Sequence, residues 1–277
     1  MFTETDLTLP DGRTLHVYDA GGPGLPVLWQ HGTPNIGTPP APLLAAAERL
    51  GVRWVGHDRP GYGGSTRHPG RTVSAVAADA GAVADALGFD RFAVMGHSGG
   101  GPHALACAAL LPDRVTRVVA ASGPAPYDAD GLDFLAGMAE AGVASTTAAA
   151  AGREAREALV EAEGEADFGF SPGDQEALGG RWSWFLDVVR PALASGPAGM
   201  IDDDLAAVAP WGFTPEEVHV PALLLHGDAD RVVPPAHATW LAEHLPDVEL
   251  RLGRGDGHIT VMDAAEDALA WLAAAER

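Results

Sequence analysis

The spacing of apolar positions changes several times along the chain, and each change marks an element. Residues 1–20 read as two short strands, and Asp11-Gly12 between them accepts the positive backbone angles of a hairpin turn. Short apolar runs follow at Pro26–Gln30, Val52–Gly56, Phe92–Met95 and Val115–Ala121, separated by longer stretches of helical spacing. That alternation predicts an α/β fold, a mostly parallel central sheet flanked by helices on both faces. The clearest helix starts after Thr72 as N-cap; Val73, Val76, Ala80, Val83 and Leu87 share one stripe, and Gly88 stops it.

From Pro126 to His219 strand character disappears, and Ala-rich, Glu-rich and Trp-bearing helical pieces are broken by Gly and Pro. Strands return at Val220–Leu225 and Val248–Leu252, before a final helix carrying Leu269, Trp271 and Leu272. The pattern predicts an α/β core built from residues 1–125 and 220–277, with residues 126–219 as an inserted helical cap.

Composition narrows the function. With 277 residues, 47% of them hydrophobic and 20% charged, the chain suits one packed core carrying an insertion. No stretch approaches eighteen apolar residues, so no membrane span is expected. Residues Met1–Asp6 lack a basic head and an apolar core, which leaves the cytoplasm as the expected location. The formal net charge is −21, and all 17 basic residues are Arg. Without lysine there is no phosphate-binding P-loop and no lysine Schiff base, and without clustered cations nucleic acid is not expected as a partner. Cys107, the single cysteine, rules out an internal disulfide and sits in an apolar helical run as a small buried residue.

The strongest chemical signal is Gly96-His97-Ser98-Gly99-Gly100, placed directly after one apolar strand and before the helix of Pro102–Leu111. In a nucleophile elbow the central serine sits on a strained strand-to-helix turn, and side chains two positions either side would collide, which favours Gly96 and Gly100. The N–H of Gly99, at the start of the following helix, would point toward an oxyanion. The same five residues also suit an ordinary glycine-rich turn, and other segments have to separate the two.

Further segments agree in order and kind, and with them the chain resembles the α/β-hydrolase family over nearly all its length outside the cap. His31-Gly32-Thr33-Pro34 follows the third apolar run, where the family begins its oxyanion loop, and the resemblance makes Thr33 the second oxyanion donor beside Gly99. Asp58-Arg59-Pro60-Gly61-Tyr62-Gly63-Gly64-Ser65 is similar to a structural loop of the family that carries no chemistry. The family orders its triad serine, acid, histidine. The loop His226–Pro234 then offers Asp230 as the acid, with Asp228 bracing the turn; an acid after the sixth strand would instead be Asp128 or Asp130. In Gly255-Asp256-Gly257-His258, small residues before His258 let its imidazole reach the serine. His31, His97 and His103 read as packing or hydrogen-bonding residues. His226, Asp228 and Asp230 also have the chemistry of metal ligands, but no partner cluster of zinc spacing accompanies them, so no metal is expected.

The resemblance implies a serine hydrolase: Ser98, His258 and Asp230 cleaving a small carboxylic ester, lactone or thioester through an acyl-enzyme, with no cofactor. Serine at the elbow separates the chain from haloalkane dehalogenases and epoxide hydrolases of the fold, which carry aspartate there, and from dienelactone hydrolases, which carry cysteine. Amide hydrolysis, cofactor-free perhydrolysis and a slow-turnover small-molecule receptor are the alternatives on the same residues. Trp182, Trp184, Phe185 and Trp211 are candidates to line the substrate pocket and equally to form the cap's own small core. Asp202-Asp203-Asp204 reads as a solvated helix start.

Overall fold

The computed structural model describes residues 2–162 and 167–274. Among them one eight-stranded sheet contains β1 (Thr3–Thr8), β2 (Thr14–Asp19), β3 (Leu25–Gln30), β4 (Val52–His57), β5 (Phe92–His97), β6 (Val115–Ala121), β7 (Ala222–Gly227) and β8 (Val248–Gly253). The spatial order is β1-β2-β4-β3-β5-β6-β7-β8. The first two strands pair antiparallel, with Gly12 in their connection at a φ of 84°, and β2 meets β4 antiparallel. From β4 to β8 every pair is parallel, as the sequence pattern predicts. The chain adds β4 on one side of β3 and β5 on the other, so a crevice opens at the carboxyl ends of β3 and β5, where open α/β sheets bind ligands.

Period-2 alternation divides the sheet's side chains between two cores. Leu28, Val94, Val118 and Leu224 face one layer, which contains α2 (Val76–Leu87), α3 (Gly100–Leu110) and α9 (Ala236–His244). Trp29, Met95, Val119 and Leu225 face the other, which contains α1 (Leu44–Leu50) and α10 (Ala265–Ala273). β5 and β7 are buried along their whole length, which is why they read as continuous apolar runs. The stripe after Thr72 is buried as expected, but its first turn is a 3-10 turn at Val73–Ala75. Thr72 bonds the Ser74 hydroxyl (2.7 Å) instead of capping a helix N–H.

Between β6 and β7 lie α4 (Glu140–Ala151), α5 (Arg153–Ala162), α6 (Pro172–Gly179), α7 (Trp184–Ala192) and α8 (Ala198–Val208). Helices α4, α5 and α8 pack on one another. By contrast α7 lays Trp184, Phe185 and Val188 into the core layer of Trp29 and Trp54, with Trp184 edge-on to Trp29 at 6.2 Å between ring centroids. Part of the inserted stretch therefore belongs to the packing of the sheet.

Candidate active site

Ser98 sits between β5 and α3 with a φ of 55°, a left-handed conformation that costs a residue with a Cβ on the order of 1 kcal/mol. Backbone bonds hold it there: its N–H donates to the Ala121 carbonyl (2.8 Å), and its carbonyl accepts the Gly101 N–H (2.8 Å). The flanking glycines answer to backbone contacts. A Cβ on Gly96 would come within 2.2 Å of the Gly100 carbonyl oxygen, and one on Gly100 within 2.0 Å of the Gln30 carbonyl oxygen.

The loop after β3 comes up beside the elbow. A Cβ on Gly99 would lie 2.6 Å from Thr33 Oγ1 and 3.5 Å from the Thr33 nitrogen. Neither the Thr33 N–H nor the Gly99 N–H has an acceptor among the described residues, and both residues line one cavity of about 240 Å³. Of these two uncommitted donors, one lies on the loop after β3 and one at the start of α3, whose dipole favours negative charge, an arrangement able to receive an anion.

A buried charge cluster fixes that loop. Arg59 donates to the carbonyls of His31 and Gly32 (the latter at 3.1 Å) and, through Nη2, to Asp203 Oδ2 at 2.6 Å. Asp203, on α8, also accepts from Arg71 (2.6 Å), the Tyr62 hydroxyl (2.7 Å) and Thr33 Oγ1 (2.8 Å). Burial opposes the charge on Asp203, but Arg59 and Arg71 outweigh it and hold the carboxyl well below its usual range. His31 accepts the Arg59 backbone N–H at Nε2 (3.0 Å), and burial keeps it neutral.

On the other side, the loops after β7 and β8 bring Asp230 and His258 together. His258 Nδ1 donates to Asp230 Oδ2 at 2.8 Å, both side chains being buried, so Nε2 is left as the nitrogen with a free lone pair. Asp230 Oδ1 accepts the N–H groups of Val232 (2.8 Å) and Val233 (3.0 Å). Burial alone would raise the Asp230 carboxyl; His258, His226 and the Val233 N–H together keep it below its usual range. His97 donates Nε2–H to the His258 carbonyl (2.9 Å) and packs against its ring, with centroids 4.9 Å apart, while burial holds its own pKa down at about 3. Ser98 Oγ and His258 Nε2 are not hydrogen-bonded in this structure; in resting sites that contact is often long and tightens on substrate.

The remaining candidates fall elsewhere. Trp182, Trp184 and Phe185 are buried in the core layer of Trp29, and Trp211 in the opposite layer; none lines the cavity beside Thr33 and Gly99. That cavity is walled instead by Val73, Pro102, Phe134, Met138, Met200 and Val208. His226 donates Nε2–H to the Val233 carbonyl (2.8 Å), and Asp228 accepts the Gly255 N–H (2.7 Å), bracing the loop that carries His258. No group of three His, Cys, Asp or Glu side chains placed to hold a metal occurs among the described residues. Asp128 and Asp130 edge a separate surface groove near Trp240. Cys107 is buried in α3, where burial pushes its thiol up to about 12. Asp202 and Asp203 are buried in mid-helix, not solvated at a helix start.

Sequence reasoning missed Asp203, Arg59 and Asp174. Asp174, on α6, accepts the backbone N–H groups of His258 (3.1 Å), Ile259 (2.9 Å) and Thr260 (2.9 Å). Ser171-Pro172-Gly173-Asp174 has capping-box spacing, which signals a helix start but not a second partner.

Residues 26–265 match the profile of the α/β-hydrolase fold, and the chain belongs to that family. It is 29% identical over 265 residues to a non-heme chloroperoxidase of Streptomyces lividans, covering 91% of this chain and 92% of that protein. To a 2-hydroxymuconate semialdehyde hydrolase of Pseudomonas putida it is 28% identical over 273 residues, covering 93% and 89% respectively. The solved structure of a thermophilic esterase from Thermogutta terrifontis matches with a TM-score of 0.70 at 22% identity, covering 99% of this chain and 100% of that one. No helix among the described residues is long and apolar enough to cross a membrane.

Proposed function

We propose that the protein is a serine hydrolase that cleaves small carboxylic esters through an acyl-enzyme, with Ser98, His258 and Asp230 as triad and Thr33 and Gly99 as oxyanion donors. The observation that carries this is the buried His258–Asp230 bond of 2.8 Å, which commits Nδ1 and leaves Nε2 as the nitrogen to receive a proton from Ser98. In this reading Ser98 Oγ attacks the acyl carbon as its proton passes to His258 Nε2, and Asp230 stabilises the imidazolium. The oxyanion takes the Thr33 and Gly99 N–H groups, each worth about 3 kcal/mol in the transition state. His258 gives its proton to the departing alkoxide, then takes one from water as that water attacks the acyl-enzyme. Collapse releases the acid and restores Ser98.

The apolar cavity of about 240 Å³ would hold the acyl chain. A cavity of this size suits short to medium acyl chains rather than long ones. The test is hydrolysis of p-nitrophenyl esters from acetate to laurate by the wild type and by Ser98→Ala over many turnovers. Repeated turnover that favours the shorter esters of the series, with kcat/KM at least about a thousandfold lower in the variant, supports the reading. Equal rates for the two proteins count against it and favour a binding role.

The similarity to a chloroperoxidase motivates a second reading on the same residues. Hydrogen peroxide replaces water as acyl acceptor, giving a peroxyacid and regenerated Ser98. Peracid formed with ester and peroxide, and lost in Ser98→Ala, supports it; peroxide without effect on the products removes it.

A further inference from the structure

A capping-box carboxylate needs only to accept its N-cap N–H, and it ordinarily does so in water. Asp174 does more. Its Oδ2 accepts the Ser171 N–H (3.0 Å) and also the His258 N–H (3.1 Å). Its Oδ1 accepts the N–H of Ile259 and of Thr260 (both 2.9 Å) and the Thr260 hydroxyl (3.1 Å). The residue is 1% exposed, and a Cβ on Gly257 would come within 2.1 Å of Oδ2, so the close approach depends on glycine at 257. The backbone of His258 is thereby held at both polar ends: its N–H by Asp174 from the inserted helices, its carbonyl by His97 from the elbow.

We propose that Asp174 is a positioning residue for catalysis: its carboxylate locks the segment 258–260 so that the His258 imidazole stays aimed between Asp230 and Ser98, making α6 part of the reactive apparatus. The inference rests on the reading of Ser98 and His258 given above. The titratable groups facing His258 are Asp230 at Nδ1, His97 across the ring, His226 against Asp230 at 3.5 Å, and Asp174 at the backbone N–H. Asp256 adds a like charge near Asp174. Burial holds His97 down at about 3 and lowers His226 from its usual value.

Asp174→Asn tests this, because either orientation of the amide turns its N–H donors toward two backbone donors, those of Ser171 and His258 or those of Ile259 and Thr260. The expected result is a kcat lower by about ten- to a hundredfold, as small misplacements of a reacting group produce. KM for a short p-nitrophenyl ester should stay within about threefold, so that the loss falls on kcat rather than on binding. Should Asp174→Asn fail to fold, Thr260→Val serves: it deletes one donor to Asp174, and a several-fold lower kcat with KM little changed is expected. A lower melting temperature with kcat unmoved in these variants makes Asp174 a helix cap only and overturns the proposal. Labelling by a fluorophosphonate separates the two levels. If wild-type Ser98 is labelled and Asp174→Asn is labelled at the same rate, only the role of Asp174 falls; a wild type neither labelled nor turning over removes both.

Discussion

The left-handed backbone of Ser98 separates two substitutions that are chemically alike, since Ala and Gly both delete the hydroxyl. Glycine adopts a φ of 55° without the Cβ clash, a relief of about 1–2 kcal/mol, against which its freer unfolded chain costs about 0.4–1 kcal/mol. Ser98→Gly is therefore expected to be more stable than Ser98→Ala by roughly 0.5–1 kcal/mol, measured as the difference in urea unfolding midpoints. Equal midpoints, or Ala ahead, would mean that the turn stores no strain. The elbow was legible because its constraint is local: Gly96, Ser98 and Gly100 answer to backbone within a strand and a turn. Asp174 and Asp203 were not, because their meaning lies in partners 84 to 170 positions away, His258 for one and Thr33 for the other. The tryptophans stayed ambiguous for a related reason. An apolar aromatic in a helical insertion reads the same whether it faces substrate or sheet, and only the packing of α7 on Trp29 decides it.

At the scale of elements, α8 shows how a charge run misleads. Asp202, Asp203 and Asp204 follow one another, and such runs are usually solvated. Yet the first two point inward to Arg67, Arg153, Arg59 and Arg71, which approach from the β4–α2 connection and from α5. Periodicity found the sheet and its flanking helices because each buries one face against a neighbour; it carries nothing about which acid meets which arginine. The partners also set the energies. Asp203→Asn leaves Arg59 and Arg71, both nearly solvent-free, without their shared anion, and removing one member of a buried ion cluster costs about 3–5 kcal/mol. Asp202→Asn frees arginines whose side chains are 39% and 32% exposed and can be hydrated, so its cost should be smaller. Urea unfolding of the two variants checks the order, and Asp202→Asn proving the more damaging would refute it. Asp203→Asn should also lower kcat, since the anion that holds Arg59 against the carbonyls of His31 and Gly32 is gone.

The whole molecule carries an acid liability that no single contact shows. Burial lowers His57 and His237 to about 4 and His97 and His103 to about 3, whereas each takes a proton near 6.5 once unfolded. Between those values the unfolded chain binds more protons than the folded one, so stability rises with pH across the window and is lost as pH falls from about 6.5 toward 4. Well below 6.5 each histidine contributes a slope of about 1.4 kcal/mol per pH unit, and four together reach the scale of a domain's entire stability, about 5–15 kcal/mol. Below about pH 4 the lowered carboxyls of Asp174, Asp202, Asp203 and Asp230 add losses of the same sign. Two effects run the other way. Asp58 and His16 have raised pKa values and favour the protonated fold, and the net charge of −21 relaxes as acids are neutralised. Salt discriminates between them, because repulsion among surface charges is screened while the cost of burying a neutral histidine is not. Thermal melts in 0.5 M salt should show the melting temperature falling steadily from pH 7 to 4.5, with a shallower fall at low salt. A flat or rising melting temperature in high salt would mean that these histidines hold their protons in the fold, and with them His97 would press a second positive charge against His258.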